Sequence, residues 1–336
     1  MSEQHADCLG GQAVAPSGLT PEPVTNELSP LLIPPQEAYF RTHFDLDDVA
    51  LQLITSGWHR LVVTAPDRVF VFPRNHLKVP MIEREAAVLR ATELDFAPRL
   101  LGFHCDDRIS PHPFLALTRI QGRSYDHVEA SFSYAEVGRC LEGLGRRIGQ
   151  LHRVTISPEL SAAPDWAEAG RLSREWTHPD AVRGVLRAAA DRLALHLEKV
   201  PVDLWAQALA PIAALERTTV HGEVSDGQFL IDERQHVTGL VDWNALHVDH
   251  PLRDLDFGLG GYRICRAEFA SRWIGLRRRI WEGYTAARGV PLPDWRSVNL
   301  LWCLVDALTA LDVGIPGSAT LPAAVNDLAQ ATRDLS

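Results

Sequence analysis

Lys and Arg are absent from the first 35 positions of this 336-residue chain, and no hydrophobic run approaches the length needed to cross a bilayer. A secretory leader needs a basic start and an apolar core, and neither is present. The same segment carries Pro16, Pro21, Pro23, Pro30, Pro34 and Pro35 among Gly and Ser, so residues 1–35 read as a disordered tail. Cysteine is scarce: Cys8, Cys105, Cys140, Cys265 and Cys303 are scattered, odd in number and never spaced Cys-x-x-Cys. That argues against a disulfide framework and for a reduced, cytoplasmic setting. An excess of positive charge is also missing. With 33 Lys and Arg against 43 Asp and Glu, the net charge of −10 argues against nucleic acid or an anionic membrane as partner. It suits a cationic small molecule. No internal repeat of fixed period is visible.

What is present is an ordinary globular balance, 46% hydrophobic and 23% charged, in a chain long enough for two lobes with a sizeable core. Strands are predicted over 49–54, 61–64 and 68–72, the last stopped by Pro73, with Ala65-Pro66-Asp67 as the turn between the second and third. Residues 83–94 are rich in helix formers, and 100–103 and 114–118 read as two more strands. Beyond Gly122 the chain turns helical. Val137, Leu141, Leu144, Ile148 and Leu151 recur at helical spacing, and helices are also expected within 166–199, broken at Pro179, and over 267–288 and 297–313.

The most informative stretch is Val220-His221-Gly222-Glu223-Val224-Ser225-Asp226-Gly227-Gln228-Phe229-Leu230-Ile231, followed by Gly239-Leu240-Val241-Asp242-Trp243. Two short apolar runs around the polar segment 232–235 read as a β-hairpin. Antiparallel pairing then sets Gln228 across from position 241 or 242, with Glu223 in the loop just before. Two carboxylates and a carboxamide are hard oxygen donors suited to Mg²⁺.

This segment resembles the catalytic and metal-binding region of the aminoglycoside phosphotransferase family, whose loop reads His-Gly-Asp, then Asn, then Ile-Asp-Trp. The macrolide phosphotransferase branch is similar in two further respects: Gly-His-Ile-Leu matches Gly227-Gln228-Phe229-Leu230, and an Asp-Pro…Asp pattern matches His250-Pro251-Leu252-Arg253-Asp254. The resemblance implies an α+β, two-lobe protein-kinase-like fold. It divides the chain into the tail (1–35), a small β-rich nucleotide-binding N-lobe (36–120) and a larger helical C-lobe (121–336). It implies ATP or GTP and Mg²⁺ as cofactors, a small-molecule hydroxyl as acceptor, and phosphoryl transfer that depends on positioning and charge neutralisation. Carried over by residue, Glu223 would orient the acceptor and His221 would hold the catalytic loop. Gln228 and Asp242 would bind metal, and Gly57 would belong to the phosphate loop, although a lone Gly also reads as a plain turn. Backbone around Leu117 and Arg119 would meet the purine. Glu85 would pair with the phosphate-binding cation, or else lie on a solvated helix face.

Three positions depart from the family pattern. Glu223 replaces Asp, Gln228 replaces the Asn or His metal ligand, and Val71 stands where a related strand, Val-Phe-Arg-Phe-Pro-Arg, carries the phosphate-binding cation. Arg74 and Lys78 are the nearby cations that could substitute. Two function classes therefore stay open: a small-molecule phosphotransferase, or a pseudokinase or repurposed kinase fold that binds a ligand or partner without transfer. Simpler readings hold elsewhere. Trp243 is expected to pack; His247, Asp249 and His250 make a weak transition-metal pattern; Gly258-Leu259-Gly260-Gly261 resembles a dinucleotide fingerprint only superficially; Arg277-Arg278-Arg279 reads as a solvated helix face.

Overall fold

The computed structural model describes residues 28, 31–55, 59–167, 176, 181–197, 199–256, 269, 272–313 and 321–335. Helices are α1 (Pro34–His43), α2 (Val79–Ala91), α3 (Tyr134–Leu151), α4 (Pro158–Ser161), α5 (Val182–Leu193), α6 (Val202–Ala213), α7 (Leu252–Asp256), α8 (Trp273–Arg288), α9 (Trp295–Val313) and α10 (Leu321–Arg333). Strands are β1 (Gln52–Ile54), β2 (Arg60–Thr64), β3 (Arg68–Pro73), β4 (Leu100–His104), β5 (Phe114–Thr118), β6 (Arg123–Ser124), β7 (Thr218–Val220), β8 (Phe229–Ile231), β9 (Val237–Leu240) and β10 (His247–Asp249). The architecture is a small β-rich lobe followed by a larger helical one. The expected order of three strands, a helix and two strands is present, with α1 added in front.

Alternation along β3 builds the first lobe. The five strands run antiparallel in the order β1-β2-β3-β5-β4. Successive side chains point to opposite faces. Phe70 and Phe72 pack with Phe40, Phe114 and Ala116 on the face covered by α1. Val71 packs with Ile82, Ala86, Leu89, Leu115 and Leu117 on the face covered by α2. Aromatic rings fix the first of these layers: Phe40 meets Phe70 edge-on at 4.8 Å, and Phe72 stacks on Phe114 at 4.6 Å.

The expectation of a disordered segment through residue 35 needs correction at its end. Leu28 and Leu32 are buried in the α1 layer, and α1 begins at Pro34, with proline in its first turn. There a missing N–H costs nothing and the fixed φ favours the helix, so the proline pair starts the fold instead of excluding it. Residues 1–27 lie outside the described part.

In the second lobe α3 opens on a capping box. The Ser133 hydroxyl accepts from the Glu136 N–H, and the Glu136 carboxylate accepts from the Ser133 N–H at 2.8 Å. Helices α3 and α8 pack closely because glycine stands where they touch. A side chain at Gly145 would run into the Ile280 carbonyl, and one at Gly283 into the Glu142 carbonyl. Arg277 on α8 is fully buried against Asp306 of α9, so the Arg277-Arg278-Arg279 run is not a uniformly solvated face. Arg278 and Arg279 do lie on the exposed side, paired with Glu282. Among the described residues no helix is long and apolar enough to cross a membrane, and Cys105, Cys140 and Cys303 are free.

Candidate active site

The hairpin β8–β9 forms in the expected register, Phe229 opposite Leu240. At its mouth the Val241 N–H donates to the Gln228 carbonyl at 2.9 Å, which brings Gln228 beside Asp242. Gly239 lies under the connection between the lobes. A side chain there would strike Ile120 and come within 2.8 Å of the Phe96 carbonyl. Leu240 N–H donates to that same Phe96 carbonyl at 2.8 Å, so the hairpin is tied to the first lobe.

Upstream, β7 delivers His221, Gly222 and Glu223. Gly222 takes φ +88°, and a Cβ there would meet the Ala245 carbonyl. Asp254 on α7, 1% exposed, holds this loop from below. It accepts from the His221 N–H at 2.6 Å, the Gly222 N–H at 2.8 Å and His152 Nε2 at 3.1 Å. His152 Nδ1 lies 3.0 Å from the Tyr284 hydroxyl. A carboxylate can only accept, so His152 carries its proton on Nε2 and accepts a hydrogen bond from the Tyr284 hydroxyl on Nδ1. Burial pushes the His152 pKa down and keeps the ring neutral. Burial opposes the Asp254 charge as well, but the His152, His221 and Gly222 contacts outweigh it and hold this carboxyl below its usual range.

His221 is buried, with Nε2 donating to the Val241 carbonyl at 3.1 Å and its ring edge against Trp243 at 4.8 Å. It braces the loop against the end of β9, and its burial pushes its pKa down. Trp243 is fully buried, as expected of a packing residue.

Asp242 sits in the left-handed region at φ +73° and ψ +61°. This conformation costs a non-glycine residue about 1–3 kcal/mol and recurs at functional sites. Both hydrogen bonds recorded for its carboxylate fall on Oδ1, from Arg60 and from the Asn244 amide. Asn244 is oriented in turn by the Trp166 indole N–H, which donates to its Oδ1 at 2.7 Å.

Arg60, the first residue of β2, is the side chain that sequence reasoning missed. Its Nη1 lies 2.8 Å from Glu85 Oε2, and its Nη2 binds Asp242 Oδ1. Glu85 Oε1 accepts from the Trp243 N–H at 3.2 Å, and Glu85 is only 1% exposed. The solvated-face reading of Glu85 is therefore wrong. Burial works against the Arg60 charge, but Asp242, Glu85 and Glu223 raise its pKa and keep it a cation. For Glu85, burial dominates and raises the pKa against the pull of Arg60. The neighbouring Arg84 ties α2 to the second lobe by donating to the carbonyls of Leu160 at 3.1 Å, Ala162 at 2.9 Å and Leu246 at 2.8 Å.

The other expected site residues are dispersed. Arg74 is exposed and donates to the Thr55 carbonyl, and Lys78 forms no ion pair among the described residues. Neither meets Glu85, because Arg60 does. Leu117 lies inside the sheet, paired with Val69 and Leu100, and the Arg119 N–H donates to the Asp67 carbonyl at 3.0 Å. Gly57 and the Gly258–Gly261 run lie outside the described residues. His247 is engaged by the Ala245 carbonyl at 2.7 Å and His250 by the Ile212 carbonyl at 3.0 Å. Among the described residues no group of three or more His, Cys, Asp or Glu is placed to hold a metal.

The sequence matches the model of the phosphotransferase enzyme family (APH) over residues 50–301, well over half the chain. Comparison with curated proteins finds no match. Similar solved structures include the streptomycin–ATP ternary complex of APH(2″)-IIa, 16% identical, with 89% of this chain and 96% of that chain covered at a TM-score of 0.48. Macrolide 2′-phosphotransferase type I is 16% identical, with 91% and 98% covered at a TM-score of 0.42. Aminoglycoside phosphotransferase APH(3″)-Id from Streptomyces rimosus is 18% identical, with 82% and 97% covered at a TM-score of 0.46. The family model spans the whole cleft, from Arg60 and Glu85 to Asp242 and Asp254, and the chain belongs to the phosphotransferase enzyme family, with its kinase-like fold.

Proposed function

We propose that this chain transfers the terminal phosphoryl group of ATP or GTP to a hydroxyl of a small molecule. The observation that carries the reading is the cleft itself: Glu85 from the first lobe and Asp242 from the second meet on one guanidinium, with Glu223 close enough to contribute to its field. Charged side chains of both lobes thus meet in one cleft, as the reading requires.

The donor set fits a hard cation that arrives with phosphate. Asp242 offers a carboxylate and Gln228 a carboxamide oxygen, and Mg²⁺ commonly takes one or two protein oxygens with the rest from phosphate and water. When bound, the ion would neutralise charge on the transferring phosphoryl group. Asp242 and Gln228 would hold it from the hairpin mouth. Glu223 would accept the proton of the acceptor hydroxyl as its oxygen bonds to the terminal phosphorus and the bond to the bridging oxygen breaks, releasing the nucleoside diphosphate. The longer Glu223 side chain is served by a loop pinned at two successive N–H groups by Asp254. An acidic chain of net charge −10 favours a cationic acceptor, and its free cysteines suit a reduced cytoplasm.

The replacements Glu223 and Gln228 favour one competing reading, a nucleotide-binding pseudokinase. Calorimetric titration with ATP and GTP, with and without Mg²⁺, followed by measurement of nucleoside diphosphate release with a panel of hydroxylated small molecules, separates the two. Mg²⁺-dependent binding with turnover is expected. Binding without turnover for any acceptor or water would favour the pseudokinase, and no binding at all would refute both.

A further inference from the structure

We propose that Arg60 is the polyphosphate-binding cation of this site, supplied by β2 in place of a side chain on β3. The inference deepens the phosphotransferase reading and rests on it. Register carries the argument. Val71 on β3 pairs directly with Val62 on β2, and Pro73 with Arg60. Directly paired residues of antiparallel strands point to one face, as do residues two apart on one strand. Arg60, Val62, Val71 and Pro73 therefore share the face that α2 covers. Val71 is 3% exposed and belongs to the core there, with Ile82, Ala86 and Leu89. Arg60 stands one strand over and two residues along, about 7 Å at ~3.4 Å per residue, a gap that an arginine side chain spans. Its guanidinium reaches the same Glu85 that a cation at position 71 would have served.

Glu85 occupies Nη1 and Asp242 occupies Nη2 of a side chain only 13% exposed. A guanidinium presents five donors in a rigid fork and matches phosphate oxygens as well as carboxylates. On nucleotide binding, Arg60 keeps Glu85 and passes its second amino group from Asp242 to a phosphate oxygen, which releases the Asp242 carboxylate for the metal. Arg74 binds the Thr55 carbonyl, so it does not compete for this role.

The test is titration of wild type, Arg60→Ala, Arg60→Lys, Arg60→Gln and Val71→Lys with ATP, GTP, adenosine and guanosine, alongside melting temperatures. A charge-assisted contact to phosphate predicts that Arg60→Ala weakens nucleotide binding roughly 10- to 100-fold. Nucleoside affinity should hold, which a merely structural role for Arg60 would not produce. Arg60→Lys should recover part of the loss, and Val71→Lys should gain nothing. If Arg60→Ala does not fold, Arg60→Gln, which keeps a donor for Glu85 without the charge, takes its place with the same expectation. Unchanged nucleotide affinity in the Ala or Gln variant, an equal loss for nucleosides, or a gain in Val71→Lys overturns the assignment while leaving the phosphotransferase reading intact. Absence of nucleotide binding in wild type overturns both.

Discussion

Asp254→Asn is expected to destabilise the protein by about 3–5 kcal/mol and to slow turnover further than instability explains. The carboxylate accepts three buried hydrogen bonds, two on Oδ2 from His221 N–H and His152 Nε2–H and one on Oδ1 from Gly222 N–H. Asparagine can keep the Oδ2 pair, weakened from charge-assisted to neutral by ~1 kcal/mol each, but its NH₂ then opposes the Gly222 N–H. Leaving that buried donor unpaired costs ~1–3 kcal/mol more. A domain is worth only ~5–15 kcal/mol, so the loss is a large part of the total. The same donors set the position of Glu223, one residue on. A displacement of ~1 Å there costs on the order of 100-fold in rate. Urea unfolding at pH 7.5 followed by circular dichroism reads the first quantity; turnover well below the urea transition reads the second. A loss under ~1 kcal/mol, or an unchanged rate in the folded variant, would refute the idea that Asp254 holds the catalytic loop.

Asp242→Asn should abolish most of the Mg²⁺ dependence of nucleotide binding with little change in melting temperature, and Mg²⁺-dependent affinity equal to wild type would remove Asp242 from the metal site. Leu32→Ala should cost ~2–5 kcal/mol by opening a cavity in the α1 layer, measured by urea unfolding, whereas a dispensable tail residue would show no change. Lowering the pH from 7.5 to 5.5 should destabilise the protein steeply: His152, His221 and His250 all have pKa values lowered by burial. The unfolded chain binds protons that the native state refuses below about 6.5, so stability is full above that pH and each histidine removes up to ~1.4 kcal/mol per unit below it. Urea midpoints that stay flat across this range would show that these rings accept protons in the folded state.

The parts legible in the sequence were those fixed by local pattern. The hairpin was visible because two apolar runs flank a polar turn, and its register then followed, which placed Gln228 beside position 241. Helix α3 was visible from its five periodic apolar residues. Helix α1 was hidden because Phe40 is its only buried residue, leaving no stripe to see. Arg277 was misread because its partner Asp306 comes from another helix, 29 residues on. The cation was missed for a related reason. Matching β3 to a family strand asks which residue stands at position 71, whereas the site asks which side chain reaches Glu85. That second question depends on the pairing of β2 with β3. The signal was nevertheless present: closing the hairpin at Thr64 and Val69 puts Arg60 on the face of Val71.

The charge count of the cleft explains how the departures from the family pattern can coexist. Glu85 and Asp242 contact Arg60 and Glu223 adds to its field, so with all three carboxyls ionised the cleft would be short of two positive charges. One divalent ion would make up that deficit. Gln228 would contribute an oxygen to such an ion without deepening the deficit, and Ser225, whose hydroxyl donates to the Gln228 Oε1, fixes which end of the amide points where. A second carboxylate at position 228 would leave the cleft short of three charges and would compete with the nucleotide's own phosphates for the ion. Val71 is coupled to the same balance. A lysine there, with Arg60 still present, would crowd Glu85 with two cations and bury one of them among Ile82, Ala86 and Leu89 without a partner. Valine at 71 and arginine at 60 are thus two halves of one rearrangement: the charge moves one strand across, and the vacated position joins the core.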